Sequence, residues 1–206
     1  MKIRFSKQAE MSKVKVKPKF LRLTEATNAL DFLEKAGCFI RETDESLIEW
    51  KWVVLSLHSA LYGFAICACK STSLENVIVR DKKGKKKLIP FDDALKACRN
   101  SHWMSRLYGG KVLTLSSCQQ ESIKRLQQEL RNHFEHYTPK LWLIEVHGLP
   151  QMVLDILDII RFLAVENNIY VNLNSSQIRK VKSVVYQGKL FIKKSKLYRE
   201  TLIAET

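Results

Sequence analysis

Apolar residues recur at helical spacing along most of this chain. The first such stretch follows Thr24, a residue suited to capping a helix N-terminus, and places Leu30 and Leu33 on one face as far as Gly37. This pattern predicts a helix over residues 25–36, with the glycine ending it.

A second and longer helix is predicted over residues 44–70, opened by Thr43 or Asp44. Within it, Trp52 to Cys69 is an 18-residue run without a charge, which reaches the lower limit of a membrane span. His58 would be costly near a bilayer centre, so we interpret the run as a central helix surrounded by protein. A membrane-associated effector stays the alternative.

The middle of the chain changes pattern. β-branched residues at 77–80 and 86–89 lie on either side of Gly84, which predicts a short basic β-hairpin. Pro90 then precedes a third predicted helix over about residues 91–101, with two aspartates in its first turn.

A fourth helix is predicted from Ser116 or Ser117 to the residues before Pro139. Ser117 and Gln120 have the spacing of a capping box. The apolar stripe of this helix consists of Ile123, Leu126, Leu130 and Phe134.

A fifth helix is predicted over about residues 149–166, after a short extended piece at 141–146. Its apolar face is wide, so it is either buried on most sides or faces a partner chain. The residues from 170 onward are ambiguous: 175–185 suit a helix, whereas 184–192 suit a hairpin.

These elements predict a mainly α fold, an antiparallel bundle of four to five helices with a small hairpin insertion at about 76–90. The chain has only 7 Gly and 4 Pro among 206 residues, too few turn residues for a fold of many short strands. We divide it into a basic arm (1–23), the bundle (24–168) and a basic C-terminal extension (169–206).

The charge is concentrated at the ends and in the hairpin. Segments 1–22, 80–87 and 179–199 carry net charges of +7, +5 and +8 in a chain of net charge +14, so the remaining residues carry −6. Basic arms on a mildly acidic body suit binding to phosphates of a polyanion such as RNA. The hairpin supplies five candidate phosphate contacts, Lys82, Lys83, Lys85, Lys86 and Lys87.

Five cysteines without a CxxC pair indicate neither a disulfide framework nor a zinc site. Those in apolar helical stretches are expected to be small core residues in a reducing cytoplasm. Cys98 and His102 have a spacing that metal ligands can use, but no second pair joins them. We therefore expect no metal and no cofactor.

The candidate chemistry lies at the end of the fourth helix. There, Arg131, Asn132 and His136 combine a permanent cation, a small polar group and an imidazole. RNA cleavage by the 2′-hydroxyl needs an imidazole to move protons and a guanidinium to stabilise the phosphorane oxygens.

This motif resembles that of the HEPN superfamily (higher eukaryotes and prokaryotes nucleotide-binding). In that motif a polar residue directly follows an arginine, and a histidine lies four to six residues after the arginine. The resemblance covers roughly residues 24–168. It implies a HEPN-like bundle acting as a metal-independent, dimeric endoribonuclease in toxin–antitoxin or phage-defence systems, with an antitoxin or defence partner. The alternative is a non-catalytic module that binds RNA or a nucleotide.

On an ideal helix Arg131 and His136 would lie roughly 140° apart, both outside the core. They could meet if the last turn unwinds, or if two subunits each contribute one of them. Asn132 would orient the histidine or bind phosphate. His133 is expected to pack or to support the site, and Tyr137 to stack a base or pack at the edge of the core.

One departure concerns the partner. HEPN toxins silenced by a nucleotidyltransferase antitoxin carry a modified tyrosine two residues after the histidine, where this chain has Thr138. We therefore do not predict that particular partner.

Overall fold

The computed structural model describes residues 19–70, 73–106, 109–136, 139 and 141–204. Within these ranges the protein is a helical bundle carrying one small two-stranded sheet. The predicted mainly α fold with a β-hairpin insertion is confirmed.

The helices are named in chain order. They are α1 (Glu25–Glu42), α2 (Glu49–Lys70), α3 (Phe91–Arg99), α4 (Ser101–Ser105), α5 (Ser117–Lys124), α6 (Asn132–Glu135), α7 (Leu149–Arg161), α8 (Asn168–Val171), α9 (Ser175–Lys194) and α10 (Lys196–Ala204). Two π-helical segments, Arg125–Arg131 and Phe162–Glu166, follow α5 and α7, and a short 3₁₀ turn spans Leu74–Val77.

Helix α1 begins where the sequence predicts but runs past Gly37. Thr24 caps it, and Thr27 completes the reciprocal capping box. Gly37 lies inside the helix, where the absence of a side chain lets α9 approach. A Cβ added there would lie 2.8 Å from Val184 Cγ1. The glycine that resembled a stop signal is a helix-packing contact.

Helix α2 starts at Glu49, later than predicted. Thr43 does not open it but closes α1, since its hydroxyl donates to the Ile40 carbonyl oxygen at 2.9 Å. In the part of the chain that the structure describes, α2 is the one helix long and apolar enough to cross a membrane, and 72% of its most apolar stretch is buried inside the protein. It packs against α1, α3 and α7.

The predicted hairpin is present as β1 (Ile78–Arg80) and β2 (Lys86–Leu88), which pair antiparallel with Val79 opposite Lys87. The Tyr62 hydroxyl donates to the Ile89 carbonyl oxygen at 2.5 Å and fixes the hairpin to α2.

The capping box of α5 is one residue earlier than predicted. Ser116 caps the helix and Gln119 reciprocates, rather than Ser117 and Gln120. Adjacent serines offer the same cap in two registers, and the sequence pattern alone does not separate them.

Helix α7 is enclosed within the protomer. Nine of its residues are buried, and α9 covers it together with α2 and α5. The ambiguous segment is a helix, not a hairpin, and Val181, Val185 and Ile192 of α9 join the same core. The apolar face of α7 is therefore not a surface for a partner chain, and α9 closes the bundle beyond the predicted boundary at residue 168.

Candidate functional site

The candidate motif follows an irregular stretch of helix. The predicted fourth helix is built from α5, the π-helical segment Arg125–Arg131 and α6, with Leu126 and Leu130 buried beneath it. π-Helical turns within α-helices are rare and are frequent at functional sites. This one ends at Arg131, the first residue of the motif.

Arg131 is held by neighbours on its own helix. Its Nη1 donates to Asn132 Oδ1 at 3.1 Å, and its Nη2 pairs with Glu135 Oε2 at 2.5 Å. Its Nε is buried without a hydrogen-bond partner among the described residues. The guanidinium is thus half-buried and partly neutralised in this state.

We expected both Arg131 and His136 to lie outside the core, and neither is among the buried residues, although Arg131 is the less accessible of the two. His136 is exposed, whereas 28% of the Arg131 side chain is accessible. We attribute this to the π-helical segment. A π-turn advances each residue by a smaller angle than an α-turn, so Arg131 falls closer to the buried stripe than an ideal helix predicts.

His136 is the first residue beyond the helix. Its backbone has φ −100° and ψ 79°, outside the helical region, while its N–H still donates to the Asn132 carbonyl oxygen at 2.8 Å. The helix therefore ends at Glu135, earlier than Pro139 alone requires. No hydrogen bond joins Arg131 to His136 within the described residues, and Tyr137 and Thr138 lie outside them.

His133 and Phe134 contact one tryptophan. The His133 ring stacks on Trp142 with ring centres 4.8 Å apart, and Phe134 meets the same indole at 5.2 Å. His133 thus packs against the extended segment after the motif and helps to fix the end of α6 there.

A second histidine lies near the motif, and sequence reasoning did not assign it to the site. His58 of α2 is buried and stacks on Phe91 at 4.6 Å, and its Nε2 has no hydrogen-bond partner in the described part of the chain. Burial, and then the positive charge of Arg131, lower the pKa of His58 from 6.5 to about 4. The sequence offered one signal for His58, because it is the single histidine within the uncharged run 52–69. That position argued only against a membrane span.

An apolar groove adjoins the motif. It has a volume of about 260 Å³ and is lined by Leu130, Phe134 and Trp142 together with residues of the α1–α2 connection. Its rim is exposed: Leu47 is 64%, Ile48 63% and Leu143 83% accessible. Large exposed aliphatic side chains so close together are typical of an interaction surface.

The hairpin lysines divide into two groups. Lys86 pairs with Glu75 at 2.5 Å and Lys87 with Asp81 at 3.3 Å. The remaining three at the tip, Lys82, Lys83 and Lys85, are exposed, and their ammonium groups have no carboxylate partner among the described residues. The backbone N–H groups of Lys83 and Lys85 donate to Asp81 Oδ1 at 2.9 Å.

The described residues contain no group of three or more side chains suited to a metal ion. Cys98 is buried and donates to the Ala65 carbonyl oxygen, whereas His102 is exposed and contacts Arg106 at 2.7 Å. Asn100 caps α4 between them, so the two do not share one continuous helix.

No family model, curated protein or solved structure matches this chain.

The arrangement offers one set of groups for chemistry on a phosphodiester. An exposed imidazole is free to exchange protons with a substrate, and a guanidinium lies five residues before it on the same helical segment. The carboxylate of Glu135 competes for that guanidinium. A substrate phosphate would have to displace it from a guanidinium that is half-buried.

Proposed function

We propose that this protein is a metal-independent endoribonuclease of toxin–antitoxin or phage-defence type. The observation that carries the proposal is the exposed His136 placed directly at the end of α6, following Arg131 and Asn132. Its imidazole would take the proton from the 2′-hydroxyl or supply one to the 5′-oxygen. Arg131 would stabilise the charge that develops on the phosphorane oxygens.

We further propose that the active form is a dimer. No hydrogen bond joins Arg131 to His136 among the described residues of one protomer, and Glu135 pairs with the guanidinium. The groove beside Trp142 adjoins the motif. A second copy bound to this groove would bring its own Arg131 and His136 close to those of the first copy. The exposed Leu47, Ile48 and Leu143 support this occupant, because burying them against the same surface of a partner satisfies two-fold symmetry.

The test is cleavage of a single-stranded RNA by the full chain in EDTA, with the products' ends identified. We expect a 2′,3′-cyclic phosphate, and we expect His136→Ala to slow cleavage about 100-fold or more. Because His136 is exposed, the variant should keep the unfolding midpoint of the wild type.

His102→Ala is the matched control, since His102 is also an exposed histidine at a helical position near an arginine. Equal cleavage by the wild type and His136→Ala would refute the assignment of His136. Growth arrest on expression that His136→Ala relieves would place the same residue in a toxin-like activity.

The second candidate is a non-catalytic RNA-binding module, favoured by the three lysines at the hairpin tip whose ammonium groups form no ion pair with the described residues. In that case the wild type binds RNA with a strong salt dependence and leaves it intact. The cleavage assay separates the two candidates directly.

A further inference from the structure

A groove lies away from the motif, between α7 and α9. It has a volume of about 480 Å³. Four cationic side chains and one carboxylate line it: Arg161, Lys182, Lys189 and Lys193, with Asp158. The sequence placed positive charge in this part of the chain but did not indicate a groove there.

The helical spacing of α9 aligns the groove residues. Lys182, Tyr186, Lys189 and Lys193 follow one another at intervals of four, three and four residues, so they form one stripe along the helix. At 1.5 Å per residue the stripe is roughly 16 Å long. Arg161 of α7 forms part of the opposite wall.

The cations of this stripe are not all neutralised. Lys189 pairs with Asp158, and its Nζ lies 2.7 Å from both carboxylate oxygens. The Nη2 of Arg161 lies 3.8 Å from Glu166 Oε1. Lys182 and Lys193 are exposed and form no ion pair within the described residues. Two ammonium groups at the ends of the stripe are therefore available to an anionic ligand.

Tyr186 lies between those two lysines and is 65% accessible. An exposed aromatic ring flanked by free cations is the arrangement that proteins use to stack a nucleobase while neutralising the adjoining phosphates. An exposed ring does not serve the core here, because the apolar face of α9 is already buried through Val181, Val185 and Ile192.

We propose that this groove binds single-stranded RNA, with a base stacked on Tyr186 and phosphates paired with Lys182 and Lys193. The choice of RNA as the polyanion rests on the proposed function. A membrane surface is disfavoured because the stripe presents a ring and ammonium groups, while the aliphatic residues of α9 named above face inward.

The test is fluorescence anisotropy of a labelled single-stranded oligouridylate in EDTA, with the full chain carrying His136→Ala to prevent cleavage. We expect Tyr186→Ala to weaken binding roughly fivefold to 100-fold, as for one stacked base. Tyr186→Phe keeps the ring and should bind as the parent does.

Charge is tested separately. Lys193→Gln should lower the slope of log affinity against log salt concentration by about 0.7, the value for one phosphate contact on a single strand. Lys180→Gln is the matched control: it removes a lysine from the same helix, but one that pairs with Glu34 outside the groove.

If Tyr186→Ala and Lys193→Gln bind the oligouridylate as tightly as Lys180→Gln does, the groove proposal is wrong. Binding to phosphatidylserine vesicles but not to the oligonucleotide would overturn it as well. Since these substitutions are on exposed side chains, thermal melts should show that all variants stay folded.

Failure of the groove and failure of the nuclease give different results. Groove variants of the otherwise native chain should lose affinity yet cleave at the normal rate when RNA is saturating. If RNA binds through Tyr186 but no cleavage occurs, the groove stands and the endoribonuclease proposal falls.

Discussion

At the scale of single residues, the most unusual pair is His58 and Arg131. They come from different helical segments, and burial, followed by the positive charge of Arg131, lowers the pKa of the His58 imidazole. Both side chains carry a buried nitrogen without a hydrogen-bond partner among the described residues. Buried polar atoms without hydrogen-bond partners cost stability. The fold nevertheless keeps Arg131 close to His58, whose buried imidazole has to stay neutral.

This arrangement predicts a loss of stability in mild acid. The unfolded chain takes up a proton at His58 near pH 6.5, but the folded protein does so only near pH 4. Stability therefore falls as the pH drops through this window and amounts to a loss of about 3 kcal/mol when complete. The free energy of unfolding in urea, measured across the window, checks this.

His58→Phe should flatten that pH dependence, because phenylalanine keeps the ring contact with Phe91 and cannot titrate. His102→Gln, at an exposed site, is the control and should leave the slope unchanged. An equally steep loss in His58→Phe would show that another group is responsible.

At the scale of elements, the contact between α1 and α9 depends on a missing side chain. Gly37 lies against Val184, with no room for a Cβ atom. Glycine weakens a helix interior by about 0.5–1 kcal/mol relative to alanine, so this contact is made at a cost to the intrinsic stability of α1.

The helix-weakening effect of Gly37 can be separated from its steric contact with Val184, because the effect of Gly37→Ala on stability should change sign when Val184 is shortened. In the native background Gly37→Ala should destabilise the protein by about 1–3 kcal/mol through overpacking. In a Val184→Ala background, which removes the obstructing Cγ1, the same change should stabilise it by about 0.5–1 kcal/mol. Urea unfolding of the four proteins forms the double-mutant cycle. Destabilisation of equal size in both backgrounds would contradict the contact.

The sequence predicted most of the helices and the hairpin, and the errors in that prediction share a cause. Thr24 and the hairpin around Gly84 were identified because their signals are local. Gly37 was misread because the same residue serves as a stop signal and as a close contact, and only the position of α9 decides between them. The proximity of His58 to Arg131 was out of reach for the same reason, since 72 intervening residues separate them and tertiary packing alone brings them together.

The site was predicted as a set of residues but not as a geometry. The exposure of His136 agrees with a helix-end position, whereas the partial burial of Arg131 depends on the π-helical segment, which has no simple sequence signature. The groove on α9 was missed because residues 175–185 suited a helix but 184–192 suited a hairpin, so the sequence did not predict one continuous helix.

At the scale of the whole molecule, the apolar groove beside Trp142 is the surface where a second copy would sit. Leu143 is 83% exposed at its rim and contributes little to the protomer core. We expect Leu143→Glu to raise the dimer dissociation constant about tenfold or more, because a second copy seated on this groove would bury the introduced carboxylate without a partner. Sedimentation velocity over a concentration series measures this.

Leu74→Glu provides the comparison, since Leu74 is 52% exposed in the 3₁₀ turn away from this groove. It should leave the association unchanged. A native chain that sediments as a monomer at all concentrations would exclude the composite site, and with it the dimeric form of the nuclease.

The position of α9 also has a consequence for biosynthesis. The helix that covers α7 is encoded after it, so a nascent chain leaving the ribosome displays the apolar side of α7 until Ile192 has emerged. Domains generally fold as complete units during translation. The closed bundle, and any activity that depends on it, is therefore withheld until translation has passed α9.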